Sequence, residues 1–148
     1  MKTLIVYDSA YGNTEKIAKA IGGGIGGEAE VVRAGGANLG ASKVFGLLIV
    51  GSPTYGGRPT PAMLDFLDKA SEPELEGVKV AAFDTRFEGG FSKIFGFAAD
   101  KIIERLKAKG GVPVAPPEGF IVKGKKGPLK EGELERASAW GKEIAKSG

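Results

Sequence analysis

Lys2-Thr3-Leu4-Ile5-Val6-Tyr7-Asp8-Ser9-Ala10-Tyr11-Gly12-Asn13-Thr14 is the stretch on which the reading of this chain turns. Leu4–Tyr7 is a short run rich in β-branched and aromatic residues, as suits a strand buried on both faces. Asp8–Asn13 is a polar turn containing a glycine. From Thr14 the pattern becomes helical, with Ile17, Ala18 and Ile21 on one face. The turn supplies the hydroxyls of Ser9, Tyr11 and Thr14, the amide of Asn13 and a run of backbone N–H groups at the positive end of a helix dipole. Such a place attracts an anion, and a phosphate fits it. No Gly-Lys-Ser/Thr follows, so it is not a Walker A loop, and the GxGxxG spacing of dinucleotide folds is absent. The one basic neighbour is Lys16, a turn into the helix, so neutral donors suit a monophosphate better than a metal-bound triphosphate. The competing reading is that Ser9 and Asn13 only cap the helix.

Outward from that stretch the chain alternates strands and helices. Gly22–Gly27 is expected to weaken the first helix and end it early, each interior glycine costing roughly 1 kcal/mol against alanine. Ala29–Arg33 reads as a second strand, followed by a loose loop through Gly40. Gly46–Val50 is a third strand, ending in a loop over Gly51–Pro59. Thr60 caps a helix starting at Pro61, with Met63, Leu64 and Leu67 facing inward. Val78–Phe83 is a fourth strand, and Asp84–Phe91 a polar loop. The spacing of Ile94, Phe95, Ala98, Ala99, Ile102, Ile103 and Leu106 predicts a helix over Ser92–Lys109, stopped by Gly110-Gly111. Val112–Val114 and Phe120–Val122 are strand pieces broken by Pro116-Pro117. Glu131–Lys146 closes as an amphipathic helix carrying Leu134, Ala137, Trp140 and Ile144. Apolar strands joined by helical crossovers imply an α/β fold, a doubly wound five-stranded parallel sheet with helices on both faces. Ligands of such sheets sit beyond the carboxyl ends of the strands, which selects the loops Asp8–Asn13, Gly51–Pro59 and Asp84–Phe91.

Composition narrows the chemistry. The chain has 148 residues, 42% hydrophobic and 26% charged, enough for one domain with a core. No apolar run approaches the roughly 20 residues of a membrane span, and the start is too short in apolar residues for a signal peptide. A cytoplasmic protein is the expectation. Cysteine and histidine are absent, which excludes disulfides, thiolate nucleophiles, Cys/His zinc sites and Ser-His-Asp triads. Charge is uneven: residues 1–100 hold 10 Lys/Arg against 12 Asp/Glu, and residues 101–148 hold 11 against 6. The densest basic cluster, Lys123-Gly124-Lys125-Lys126, reads as a solvated loop or a docking patch for an acidic partner. With no aromatic residues interleaved, nucleic acid is a poor candidate.

The other two loops suggest a planar ligand. In Pro53-Thr54-Tyr55-Gly56-Gly57, Tyr55 can present a ring for stacking, while the glycines let the backbone come close and reorient. The alternative is that Tyr55 covers the core and the glycines only turn the chain. Thr85, Arg86, Phe87 and Phe91 can hydrogen-bond or cover a second face, although Phe91 can equally belong to the following helix. With Ser9-Ala10-Tyr11-Gly12-Asn13-Thr14 after the first strand and Gly51-Ser52-Pro53-Thr54-Tyr55-Gly56-Gly57 after the third, the chain resembles the flavodoxins over essentially its whole length, and in particular the short-chain group.

The resemblance implies the strand order 2-1-3-4-5 and non-covalent FMN. Its 5′-phosphate would sit in Ser9–Thr14 and its ring between the loop of Pro53, Thr54, Tyr55, Gly56 and Gly57 and the loop of Asp84, Thr85, Arg86 and Phe87. It implies a small, monomeric electron carrier shuttling single electrons through the flavin semiquinone and hydroquinone, between a reductase donor and an acceptor enzyme, with no catalytic residue, metal, nucleic acid or membrane involved. The alternative is a flavodoxin-like NAD(P)H:quinone reductase or a protoporphyrinogen-oxidase-type flavoenzyme, which shares the phosphate loop. A cofactor-free interaction module is a further one. A phosphoacceptor receiver needs an acidic pair after the first strand and an aspartate after the third, where this chain has only Asp8 and then Gly51-Ser52.

Two features depart from the family pattern. Its members are often strongly acidic, whereas this chain has a pI near 9.1, with Arg58 and Arg86 in the two ring loops. Cations there favour an anionic hydroquinone, so the second reduction step is expected at a less negative potential than in acidic relatives. The third loop also lacks tyrosine and tryptophan, leaving Phe87 as the second stacking ring. In the family the peptide after the Tyr-type residue, here Gly56-Gly57, turns its carbonyl toward flavin N5. Photoreduction of FMN-loaded protein is therefore expected to develop the long-wavelength absorption of a neutral semiquinone; bleaching without it refutes that expectation.

Overall fold

The computed structural model describes residues 2–37, 39, 45–88 and 96–147. The strands are β1 (Thr3–Tyr7), β2 (Ala29–Arg33), β3 (Leu47–Pro53), β4 (Lys79–Phe87), β5 (Val112–Pro113) and β6 (Glu118–Val122). The helices are α1 (Asn13–Ile25), α2 (Pro61–Lys69), α3 (Glu72–Leu75), α4 (Ala98–Ala108) and α5 (Glu133–Ser147), with a 3-10 turn at Ala34–Gly36. All strand pairings are parallel. β1 lies between β2 and β3, and β4 lies beyond β3. The edge position beside β4 is shared, β5 pairing with Lys79–Val80 and β6 with Phe83–Phe87. The order is thus 2-1-3-4-5, with the fifth strand in two pieces on either side of Pro116-Pro117.

The alternating strand residues divide the core into two layers. Leu4, Val6, Leu48, Val50, Val80 and Ala82 pack against α2 and α4 through Met63, Phe66, Leu67, Ile102 and Leu106. Ile5, Tyr7, Leu47, Ile49, Ala81 and Phe83 pack against Ile17, Ala18 and Ile21 of α1 and Ala137 and Ile144 of α5. Phe83, Phe120 and Trp140 meet edge to face, with ring centroids 6.0–6.2 Å apart. Among the described residues no helix is long and apolar enough to cross a membrane.

Several elements differ from the expectation. β3 runs on through Gly51-Ser52-Pro53 and β4 through Asp84–Phe87, because these residues keep pairing after the apolar run has ended. The loop predicted over Asp84–Phe91 is therefore strand as far as Phe87. α4 begins at Ala98 after an extended Phe97 and a positive-φ Gly96; the predicted helical residues Ser92–Phe95, like Phe91, lie outside the described residues. α3 is an addition, its Ser71 N–H donating to Glu74 at 3.0 Å. Thr60 caps α2 by accepting the Met63 N–H, with Pro61 in the first turn, as expected. Phe66 rather than Leu64 completes its buried face, and Leu134 of α5 is exposed.

The glycine run has a packing explanation. α1 does not end early but continues through Gly22–Gly24. A β carbon on Gly24 would lie 2.0 Å from the carbonyl oxygen of Ser138 in α5, and one on Gly141 of α5 would lie 2.5 Å from that of Ile21. The two helix backbones touch where side chains would hold them apart, and that tertiary contact outweighs the helix propensity of glycine. Gly23 faces open space. Gly24→Ala is expected to destabilise the fold by about 1–3 kcal/mol through overpacking, and Gly23→Ala to stabilise it by up to about 1 kcal/mol. Urea denaturation of both variants checks the opposite signs.

Glu133 joins α5 to the sheet edge. Its carboxylate accepts the Ile121 N–H at 2.7 Å and the Arg136 Nε and Nη2 at 2.9 and 2.8 Å. The Arg136 hydrogen bonds, opposed by burial and helped by the Ile121 N–H, hold its pKa below the ordinary 4.5. Its stabilising contribution is therefore present above that value and lost as pH falls through the lowered folded-state pKa. Glu133→Gln is expected to cost about 1–2 kcal/mol at pH 7. The difference from wild type should shrink as unfolding is measured at successively lower pH below 4.5.

Candidate functional site

The register places Tyr7 beside Gly51 and Gly51 beside Phe83, so β1, β3 and β4 send their following residues to one edge. There the Asp8 N–H donates to Gly51 O at 3.1 Å and the Thr54 N–H to Thr85 O at 2.9 Å. Between these segments opens a cleft. Its first wall is Ser9, Ala10, Tyr11, Asn13 and Thr14; its second is Pro53, Thr54 and Tyr55; its third is Thr85, Arg86 and Phe87. Val122 and Lys125, which the sequence reading did not include, complete it.

The first wall depends on Gly12, whose φ of 92° turns the chain from loop into helix in a region that other residues avoid. Its N–H donates to Ser9 Oγ at 3.0 Å. No side chain caps α1. The Ser9 hydroxyl is used within the loop and Asn13 is already helical, so the reading in which they cap the helix does not hold. First-turn N–H groups of α1 are left for an acceptor in the cleft. Thr14 Oγ1 lies 2.8 Å from Thr85 Oγ1, a buried hydroxyl contact tying α1 to β4. Arg33, at the end of β2, braces the loop from outside by donating to Ser9 O at 3.0 Å and Asp8 Oδ1 at 3.3 Å. The Thr60 hydroxyl donates to the other Asp8 oxygen. Arg33 carried no motif; only the pairing of β2 with β1 reveals its role.

Tyr55 and Arg58 exchange both backbone hydrogen bonds at 3.0 Å. Between them Gly56 and Gly57 have φ of 57° and 77°, the positive pair that a two-residue type I′ hairpin requires. The hairpin holds Tyr55 at the cleft mouth, 37% exposed, so it does not lid the core. Gly56 and Gly57 shape the turn without lining the cleft. Phe87, 39% exposed at the end of β4, supplies a second ring.

Asp84 does not line the cleft. It is fully buried and lies behind the cleft wall. Its carboxylate accepts Arg86 Nε at 2.7 Å, Arg86 Nη2 at 2.8 Å and the Ala99 N–H at 2.9 Å. Burial pushes its pKa up, opposed by Arg86, the Ala99 N–H and the Thr54 hydroxyl. It is a clamp joining β4 to the start of α4. Arg86 lines the cleft, yet its guanidinium is held by Asp84 and lies over the Phe97 ring, 3.4 Å from the centroid. Its charge is thus met by a carboxylate, and Arg58 lies outside the cleft wall. The two cations expected to act on a bound ring are not equivalent. Among the described residues no acidic cluster is placed to hold a metal ion.

The flavodoxin family model matches residues 5–140. The chain belongs to the flavodoxin family. That family consists of FMN-binding electron-transfer proteins. A flavodoxin of Clostridium saccharobutylicum is 33% identical over 159 aligned positions, covering 98% of this chain and 96% of that protein. A flavodoxin from the domain Archaea superposes with a TM-score of 0.81 at 26% identity, covering 99% and 97% of the two chains. Oxidised flavodoxin 1 of Bacillus cereus gives 0.79 at 25% identity, covering 99% and 98%. The strand order expected from the flavodoxin resemblance is the one observed.

Asp84→Ala would leave the Arg86 guanidinium without its partner in a largely buried place. A loss of about 3 kcal/mol in unfolding free energy is expected, measurable by urea denaturation.

Proposed function

We propose that residues 1–148 form one FMN-binding domain, that the cleft is its flavin site, and that this flavodoxin carries single electrons between a reductase and an acceptor enzyme as a monomer. One observation carries the reading. The uncapped amino end of α1, with the Ser9–Thr14 loop, forms one wall of the cleft, and two half-exposed rings, Tyr55 and Phe87, stand in its other walls. A helix N-terminus with neutral donors suits a phosphate monoester, and paired aromatic surfaces suit a planar heterocycle.

FMN supplies the electron chemistry when bound; the chain's residues bind and orient it. Ser9, Tyr11, Asn13 and Thr14 with the α1 N–H groups hold the phosphate end. Tyr55, fixed by its hairpin, forms one side of the ring site and Phe87 the other. Pro53, Thr54 and Thr85 line the space between them. The Gly56-Gly57 peptide, in the hairpin next to Tyr55, carries no β carbon and so can reorient at low cost. The carboxylates beside the cleft are already engaged, Asp8 by Thr60 and Arg33 and Asp84 by Arg86 and Ala99. With histidine and cysteine also absent, a carrier fits better than an enzyme with its own acid or base. The exposed edges of Tyr55 and Phe87 are where a redox partner would approach.

Purified protein is expected to be yellow, and apoprotein to quench FMN fluorescence on titration. Tyr55→Ala is expected to weaken FMN binding about tenfold, the loss of roughly one stacking contact. A colourless protein that leaves the fluorescence of added FMN unchanged overturns the reading.

A further inference from the structure

The loop after β6 packs against the Ser9–Thr14 wall of the cleft, although in the sequence it reads as a solvated basic segment. β6 pairs with β4 so that Val122 sits beside Phe87, and the chain then turns over residues 123–128 toward the first loop. The turn is ordered by its own backbone: Lys123 N–H donates to Pro128 O at 2.9 Å, Gly127 N–H to Gly124 O at 3.0 Å, and Lys130 N–H to Ile121 O at 2.8 Å. Gly127, with φ of 103°, lies so close to Asn13 that a β carbon there would stand 2.8 Å from Asn13 Oδ1. Lys126 Nζ lies 5.9 Å from the centroid of the Tyr11 ring. The loop thus rests on Tyr11 and Asn13 of the first wall, and Lys125 lines the cleft.

Its lysines are not alike. Lys123 pairs with Glu131 at 3.8 Å and Lys130 with Glu88 at 2.6 Å. Lys125 and Lys126, between them, have no carboxylate partner among the described residues. A phosphate monoester carries nearly two negative charges at neutral pH, whereas a helix amino end offers about half a positive charge. Neutral donors hold a phosphate through hydrogen bonds, and an ammonium nearby adds Coulomb attraction to them.

We propose that Lys125 is a specificity-determining residue, its ammonium group matching the dianionic 5′-phosphate from the loop after β6. Lys126, set against Tyr11, holds that loop on the cradle. The inference rests on the FMN reading above and deepens it. It makes the preference for FMN over riboflavin, which lacks the phosphate, depend on a charge outside the Ser9–Thr14 loop. It also makes that preference sensitive to ionic strength, since Lys125 is solvent-accessible and its field is screened by salt.

The test is fluorescence titration of apoprotein with FMN and with riboflavin at low and high ionic strength, for wild type, Lys125→Gln and Lys125→Arg. At low salt Lys125→Gln is expected to weaken FMN binding about tenfold, leave riboflavin binding unchanged and flatten the salt dependence of FMN binding, while Lys125→Arg keeps the wild-type behaviour. Unchanged FMN affinity and salt dependence in Lys125→Gln overturns the inference. An equal loss for both flavins also overturns it, since the lysine would then act through structure alone. If wild type quenches neither flavin, the FMN reading itself has failed and the inference with it. If wild type binds FMN and Lys125→Gln binds it as well, only the inference has failed.

Discussion

Where β1, β3 and β4 approach the cleft, Gly51 lies under the Phe83 ring. The parallel register sets these residues side by side on β3 and β4, and a β carbon on Gly51 would come within 2.0 Å of the ring. With hydrogen at that position the ring packs flat over the strand and joins Phe120 and Trp140 in the core. The same register puts Tyr7 on the other side of Gly51. β1 ends at that level, β3 continues two residues to Pro53 and β4 four residues to Phe87, and the segments at these ends line one cleft.

Charge around the cleft is arranged by the same geometry. Continued pairing of β4 buries Asp84 instead of exposing it, and a buried carboxylate needs donors. Arg86 and the first turn of α4 provide them. Asp8 is likewise engaged by Thr60 and Arg33. Little negative charge is left free to compete with an anionic ligand, while the first turn of α1 and Lys125 remain available on the other side. The cleft thus has an electropositive end and an aromatic end, a division that follows from which side chains the fold has already paired.

Much of this was legible in the residues. The buried strands Leu4–Tyr7 and Leu47–Val50, the Thr60-Pro61 helix start and the Ser9–Thr14 turn are local signals, carried by hydrophobic run length, capping chemistry and the placement of a glycine. Tyr55 stood out because an aromatic residue beside two glycines in a turn has few structural reasons to be there. The boundaries of β3 and β4 were not legible. Gly51-Ser52-Pro53 and Asp84-Thr85-Arg86 have the composition of loops, and they are strand because Gly51 pairs with Phe83, Ser52-Pro53 with Asp84-Thr85, and Arg86 with Ile121. Asp84, read from the sequence as part of a loop, is buried in β4 and accepts from Arg86 and the Ala99 N–H. The glycine run also read as a weak helix, because the α5 backbone that it accommodates is more than a hundred residues away in sequence.

What the sequence alone determined was the sheet's class, the edge at which the cleft opens, and the chemical character of the first two walls. These depend on interactions within a few residues, so local composition records them. The tertiary structure decided which charged groups are free. Asp84 and Arg86 neutralise each other, Arg33 reaches back to the first loop, and Lys125 arrives at the cleft from the far edge of the sheet. A side chain's pairing is set by whatever the fold brings within a few ångströms of it, and neighbours distant along the chain leave no trace in its own segment.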